Sequence, residues 1–196
     1  MKSLNNQNCI KILLGLAIFF TLTSCTTKSI KEPRPENWAN KINNKYFNNL
    51  HIVSDSIYRS EKPSISGFKY FEENKMASVL DLRRKHKDSI TAIKANYTGK
   101  LYFIPTKTAD LSDKEIIEAL KVLQNSPKPI VIHCAHGSDR TGTVIAMYRI
   151  VFQNWTKKQA IEEMKRGGYN YHWFYPELIR YIEDSNIEEI KKQLNI

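Results

Sequence analysis

The chain has 196 residues, 41% hydrophobic and 26% charged, with seven Gly and seven Pro. That supports one compact domain plus a processing segment and excludes a disordered or collagen-like chain. Thirty Lys and Arg against twenty Asp and Glu give a formal charge of +10, which favours anionic partners without choosing among nucleic acid, phosphorylated substrates and an anionic membrane surface.

Residues 1–24 place Lys2 and Lys11 before an apolar run, Ile12 to Phe20, with no acidic residue, which is the layout of a secretory signal. The run is far short of the roughly 20 residues needed to span a bilayer. It closes with Leu22-Thr23-Ser24-Cys25, which resembles the lipobox of bacterial lipoproteins and implies cleavage before Cys25, lipidation of that cysteine and attachment to a membrane of an exported protein. The alternatives are an ordinary cleaved signal and a short buried helix. With Cys9 removed and Cys25 capped, Cys134 remains as the lone thiol, and no disulfide framework or four-Cys zinc site can be built. A polar segment carrying Lys28, Lys31, Pro33, Arg34 and Pro35 then reads as a tether. The expected organisation is a signal over 1–24, a tether over 25–37 and one domain over 38–196.

Ile52-Val53 and Ile57-Tyr58 around Ser54-Asp55-Ser56 predict a hairpin. Residues 78–82, 101–104 and 129–133 read as buried strands. Phe68, Phe71 and Met76 predict a helix over 64–75, and Ile116, Leu120 and Leu123 another over 113–124, opened by a Ser112/Glu115 capping box. Thr156 and Gln159 repeat that signature, Gly167-Gly168 ends their helix, and Pro176 opens the next. The order of elements predicts an α/β fold with a central, mostly parallel sheet flanked by helices and a helical C-terminal cover.

Between the strand ending at His133 and an apolar-periodic helix from Val144 stands Cys134-Ala135-His136-Gly137-Ser138-Asp139-Arg140. A strand, a tight loop and a helix start form an anion cradle of convergent N–H groups. Gly137 suits a tight loop, a Cys at its mouth is stabilised as thiolate, and Arg140 can return a planar fork to two phosphate oxygens.

Cys-x5-Arg followed by Thr141, after an apolar strand ending in His, resembles the signature of the protein tyrosine phosphatase superfamily in its small dual-specificity branch. IYRSEKP at 57–63, VLDLR at 79–83, YFIPTKTAD at 102–110 and GGYNYH at 167–172 resemble bacterial members of that branch. The resemblance implies a dual-specificity-phosphatase-like fold with the phosphate-binding loop between the last strand and the following helix. It implies Cys134 as nucleophile, Arg140 as clamp, and amides of Ala135, His136, Gly137, Ser138 and Asp139 as the cradle. It further implies Thr141 as the hydroxyl on the sulfur, His133 as structural support and an Asp from a separate loop as general acid. Asp110 fits that place; Asp113, just after the Ser112 cap, has a sufficient role in the first helical turn. Ala109 and Leu111 stand where relatives often carry an aromatic and Pro.

The resemblance implies a chemistry that needs no metal or other cofactor, and zinc is not expected at His133, Cys134 and His136 because no further ligand pair stands at zinc-like spacing. Arg59 and Arg83 are candidates for supporting the loops or for ordinary ion pairing. The run Arg83-Arg84-Lys85-His86-Lys87 reads as a solvated face, Asp139 as a helix-start carboxylate, and Tyr169, Tyr171, Trp173, Phe174 and Tyr175 as helix packing before pocket wall. The leading expectation is a phosphatase of phosphoproteins or small phosphoesters. A second reading takes a polyphosphorylated ligand: an inositol phosphate, a phosphoinositide or an RNA 5′-triphosphate, since the loop also resembles that of RNA triphosphatases. Export argues against nucleic acid. A third reading is a phosphate-binding module without turnover.

Overall fold

The computed structural model describes residues 33–85 and 88–196. The signal, Cys25, the tether up to Glu32, and His86 and Lys87 lie outside the described residues. From Arg34 onward the chain is one compact unit. The Arg34 guanidinium donates to the carbonyls of Ala39 at 2.6 Å and Gly167 at 3.2 Å, so the last residues of the expected tether already belong to the folded body.

The sheet has six strands: β1 (Asn40–Lys41), β2 (His51–Ser54), β3 (Ile57–Ser60), β4 (Ser78–Asp81), β5 (Lys100–Phe103) and β6 (Ile130–His133), in the order β1-β2-β3-β6-β4-β5. The hairpin β2/β3 and the short β1 are antiparallel, while β3, β6, β4 and β5 run parallel. Among the described residues the helices are α1 (Ile65–Glu73), α2 (Asp88–Lys94), α3 (Asp113–Asn125), α4 (Asp139–Gln153), α5 (Lys157–Arg166), α6 (Pro176–Asp184) and α7 (Ile187–Gln193). Both capping boxes form, Ser112 with Glu115 and Thr156 with Gln159, and Pro176 occupies the first turn of α6. None of these helices is long and apolar enough to cross a membrane.

Strand alternation divides the core between the two faces of the sheet. Ile57, Leu80, Ile130 and Ile132 face the large cluster built with α3 to α7, and Val79 and Val131 face the smaller one with Phe47, Phe68 and Phe71. Burial on both faces explains why the central strands are nearly continuous apolar runs. The same alternation sends Arg59, two residues after Ile57, to the α4 side, and sends Asp81 and His133 to the α1/α2 side. Asp81 and His133 are also register partners across β4 and β6.

α4 is buried on most of its circumference because α3, α5, α6 and α7 all pack on it. Its Arg149 lies 3% exposed and forms a two-pronged pair with Glu163 of α5, at 2.9 Å for both Nε–Oε2 and Nη2–Oε1. Arg149 also donates to the Val53 carbonyl, and Glu163 accepts from the Ala39 amide and the Tyr169 hydroxyl. One buried ion pair therefore ties α4, α5, the hairpin and the N-terminal segment together. Arg149→Ala leaves Glu163 buried without its counter-charge and is expected to cost about 3–5 kcal/mol, read as a lowered urea midpoint.

His51 of β2 is buried edge-on to Tyr169, with Nδ1 3.2 Å from the Asn49 carbonyl. Burial, aided by the charges of Arg59, Lys41 and Arg34, pushes it down to about 4 from the ordinary 6.5, against the Asn49 hydrogen bond. The unfolded chain therefore binds the extra proton between pH 6.5 and 4. His51's contribution to stability is fully present above 6.5 and lost as the pH falls towards 4, up to about 3 kcal/mol. Denaturant titrations between pH 7 and 4.5 are expected to show that slope, and His51→Gln to flatten it.

Candidate active site

The loop from Cys134 to Asp139 joins the end of β6 to the start of α4, and its carbonyls are tied down one after another. Ala135 O accepts from Lys62 N at 3.2 Å, His136 O from Asn49 Nδ2 at 2.8 Å, Gly137 O from Arg59 Nη2 at 2.7 Å, and Ser138 O from Gly142 N at 2.7 Å. With the carbonyls drawn outward, the amides of Ala135, His136, Gly137 and Ser138 are left with no acceptor among the described residues. They are the free donors of an anion cradle at the N-terminus of α4. Gly137 makes the turn at φ +72, and a Cβ there would fall 2.4 Å from the Ser60 carbonyl oxygen, so only glycine fits.

Cys134 is a free thiol, 2% exposed. Arg140 half-emerges beside it, donating Nη1 to the carbonyls of Leu82 and Thr106 at 3.3 Å each. Arg59 is 1% exposed beneath the loop, with its guanidinium carbon 3.7 Å from the centre of the Tyr169 ring. Burial holds this guanidinium below its usual value, while Tyr169, Glu163 and Cys134 pull the other way. The hydrogen bond expected between Thr141 and the sulfur is not formed: the Thr141 hydroxyl is fully buried and has no partner among the described residues.

His133 supports the loop from the other face. Nδ1 lies 3.1 Å from the Cys134 carbonyl, and Nε2 lies 2.7 Å from Oδ2 of Asp88. Both ring nitrogens thus face oxygen partners, which fixes the plane of the ring beneath the loop. Arg83 closes the cluster with a fork on Asp81, Nε–Oδ1 at 2.9 Å and Nη2–Oδ2 at 2.8 Å, and a further bond to Asp88 at 2.5 Å. Burial disfavours the Asp81 charge, yet the Arg83 hydrogen bonds and the nearby His133 more than offset it, and the carboxyl titrates below its ordinary value. Asp81, Asp88 and His133 are close enough together to hold a cation, but the Arg83 guanidinium already occupies both carboxylates.

The acid candidates are placed differently. Asp110 is exposed and accepts from Lys107 Nζ at 3.0 Å, and no hydrogen bond joins its side chain to the loop among the described residues. Asp113 opens α3 and accepts the Tyr181 hydroxyl at 2.8 Å. Asp139 does more than start α4: its carboxylate takes the His172 backbone N–H at 2.9 Å and faces Nδ1 at 2.8 Å. Tyr169 is core, whereas Trp173 and Phe174 stand exposed. On one side of Arg140 opens a cleft of about 550 Å³ lined by Arg83, Arg84, Lys85, Thr108 and Ala135.

A cysteine and an arginine bracketing a cradle of free amides, on a sheet of this order, form a site for a tetrahedral oxyanion. The sequence profile of the tyrosine phosphatase family matches residues 46–196. The chain belongs to that family. It is 29% identical over 161 residues to the dual specificity protein phosphatase TpbA of Pseudomonas aeruginosa, covering 81% of this chain and 72% of that one. The crystal structure of a Cys-to-Ser variant of TpbA with phosphotyrosine superposes with a TM-score of 0.74 at 26% identity, covering 83% of this chain and 99% of that one. The catalytic core of the PP-IP phosphatase SIW14 from Saccharomyces cerevisiae, solved with citrate, gives 0.67 at 27% identity over 78% and 94%. As a member of this family the protein is a cysteine-dependent phosphoric monoester hydrolase with the expected α/β fold.

Sequence reasoning missed Asp88 and the clamp between Asp139 and His172, neither of which has a local pattern. It left Arg59 undecided between a loop support and an ion pair. Asp88→Asn keeps the shape of the His133 contact and removes its charge. The variant is expected to weaken the support beneath Cys134 and to lose about tenfold in kcat/KM on p-nitrophenyl phosphate. An unchanged kcat/KM would confine Asp88 to holding α2 in place.

Proposed function

We propose that the protein hydrolyses phosphotyrosine and other phosphomonoesters of proteins through a phosphocysteine intermediate. The observation that carries this reading is the ring of free loop amides around Cys134, with Arg140 at its edge. The phosphoryl group is held by those amides and by the Arg140 fork. The Cys134 thiolate attacks phosphorus, the P–O bond to the leaving group breaks, and Asp110 gives that oxygen its proton. Water then cleaves the S–P bond and releases phosphate. The unpartnered Thr141 hydroxyl is available to donate to the sulfur as it departs. For Asp110 to act, its exposed pair with Lys107 must open, and an exposed pair of this kind is worth about 1 kcal/mol or less.

The basic cleft supports a second reading, in which the ligand carries a further phosphate that lies against Arg83, Arg84 and Lys85. Inositol polyphosphates have that chemistry. Residues 22–25 support a third element of the proposal, anchorage of an exported protein through lipid on Cys25.

Residues 26–196 are expected to turn over p-nitrophenyl phosphate in the presence of chelator, and Cys134→Ser to abolish it. Asp110→Asn is expected to lose roughly 100-fold in kcat on phenyl phosphate and less on the better leaving group p-nitrophenolate. An inert wild type, or equal losses on the two esters, would overturn the nucleophile or the acid assignment respectively.

A further inference from the structure

A run of rings leads from the phosphate-binding loop outward to solvent. His136, in the loop itself, stands 5.8 Å from His172; His172 lies 5.2 Å from Phe174; Phe174 lies 6.0 Å from Trp173 and 4.7 Å from Tyr175. Trp173 is 84% exposed and Phe174 53%. The phosphatase chemistry uses neither, and packing does not account for an indole left in water.

The segment that carries them is held in shape. Asp139, only 5% exposed, receives both the backbone N–H and the ring of His172, at 2.9 and 2.8 Å. Upstream, the Tyr169 carbonyl accepts from Asn49, and downstream the Tyr171 hydroxyl donates to the Tyr175 carbonyl at 2.9 Å. Trp173 and Phe174 are therefore presented outward by a fixed frame, one end of which is the residue before Arg140.

We propose that this rim docks the polypeptide side of a phosphoprotein substrate, taking an apolar side chain that flanks the phosphorylated residue. The inference rests on the phosphatase reading and narrows its substrate. Because the rings begin on the phosphate-binding loop, a ligand whose phosphate is held there has its flanking groups within reach of them. Between Gly167 and Pro176 the chain has no Lys or Arg, so the rim offers no counter-charge to a polyanion or to an anionic bilayer. Trp173 and Phe174 meet at 80° and Phe174 and Tyr175 at 55°, which makes a corrugated apolar surface suited to an aliphatic side chain rather than parallel faces for a nucleobase.

Two phosphotyrosine peptides of equal length and charge test this, one with Leu and one with Gly on either side of the phosphotyrosine. The wild type is expected to favour the Leu peptide by about tenfold in kcat/KM, through KM, since an anchoring aromatic contact commonly carries that much. Trp173 is 84% exposed and its one ring pair among the described residues is with Phe174, so Trp173→Ala is expected to fold, checked by its thermal midpoint. That variant is expected to erase most of the preference, and Trp173→Phe to restore part of it. Equal kcat/KM for the two peptides in the wild type, or an undiminished preference in Trp173→Ala, overturns the proposal. Phosphatidylglycerol vesicles and a 5′-phosphorylated RNA oligonucleotide form the competing arms: loss of binding to either in Trp173→Ala with an intact peptide preference also overturns it. Fluorescence titration of Cys134→Ser reads docking without turnover. If the wild type is inert but this variant still binds the Leu peptide tighter than the Gly peptide, the phosphatase reading fails while the rim stands.

Discussion

Arg59 carries its charge 1% exposed, beneath a loop whose task is to hold an anion. A buried guanidinium is strongly unfavourable unless its donors are used and its charge is answered. Here Nη2 is used on the Gly137 carbonyl, the face on the Tyr169 ring, and Nε has no partner among the described residues. The answer to the charge is shared. Tyr169 passes its hydroxyl proton towards Glu163, and Glu163 is already committed to Arg149, so two buried cations meet one buried carboxylate. The imbalance leaves positive potential beneath the loop, which favours the phosphoryl group that binds above it. The network that holds α4, α5 and the hairpin together is thus also what makes the loop receptive to anions.

The sheet lets that loop be held from two sides at once. A period of two residues per repeat sends Arg59 of β3 to the α4 face and His133 of β6 to the α2 face. Arg59 takes the middle of the loop by the Gly137 carbonyl, and His133 takes its first residue by the Cys134 carbonyl. Each donor is in turn fixed by a buried partner, Tyr169 on one face and Asp88 on the other. A loop pinned at its carbonyls cannot turn its peptide planes, so the amides stay aimed at one point with no ordering cost when the anion arrives. Gly137 is the residue that lets the chain approach Ser60 closely enough for this to work.

Local pattern explains which parts were readable in the sequence. The parallel strands announced themselves as apolar runs, the capping boxes of α3 and α5 as Ser/Thr three residues before Glu/Gln, and the loop as Cys-x5-Arg. Short elements were missed for the same reason. α2 exposes Ile90 and Ile93 and buries Asp88, the reverse of an amphipathic helix, because Asp88 is held inward by His133 and Arg83. β1 is two residues long and paired only at an edge. Asp139 reads as a helix-start carboxylate in any sequence, and its grip on His172 spans 33 positions with nothing local to signal it. Thr141 departs from expectation at the level of one hydrogen bond, which depends on the state of the sulfur.

The loop of Asp110, the proposed acid, is where the scaffold is least committed. Its stem is fixed: the Thr106 amide and hydroxyl both donate to the Leu82 carbonyl, at 3.3 and 2.7 Å. Beyond the stem, an exposed ion pair and a single bridge hold Lys107 to Asp110. Arg140 touches the same stem, with Nη1 on the carbonyls of Leu82 and Thr106 at 3.3 Å, long bonds that a dianion easily outcompetes. A phosphate that draws Arg140 away releases the Thr106 carbonyl at the base of the loop carrying Asp110, while Thr106 keeps its own hold on Leu82. Rigidity at the cradle and weak restraint at the loop of the proposed acid are therefore parts of one arrangement, in which an anion is met by preorganised donors and Asp110 is held by little more than its exposed pair with Lys107.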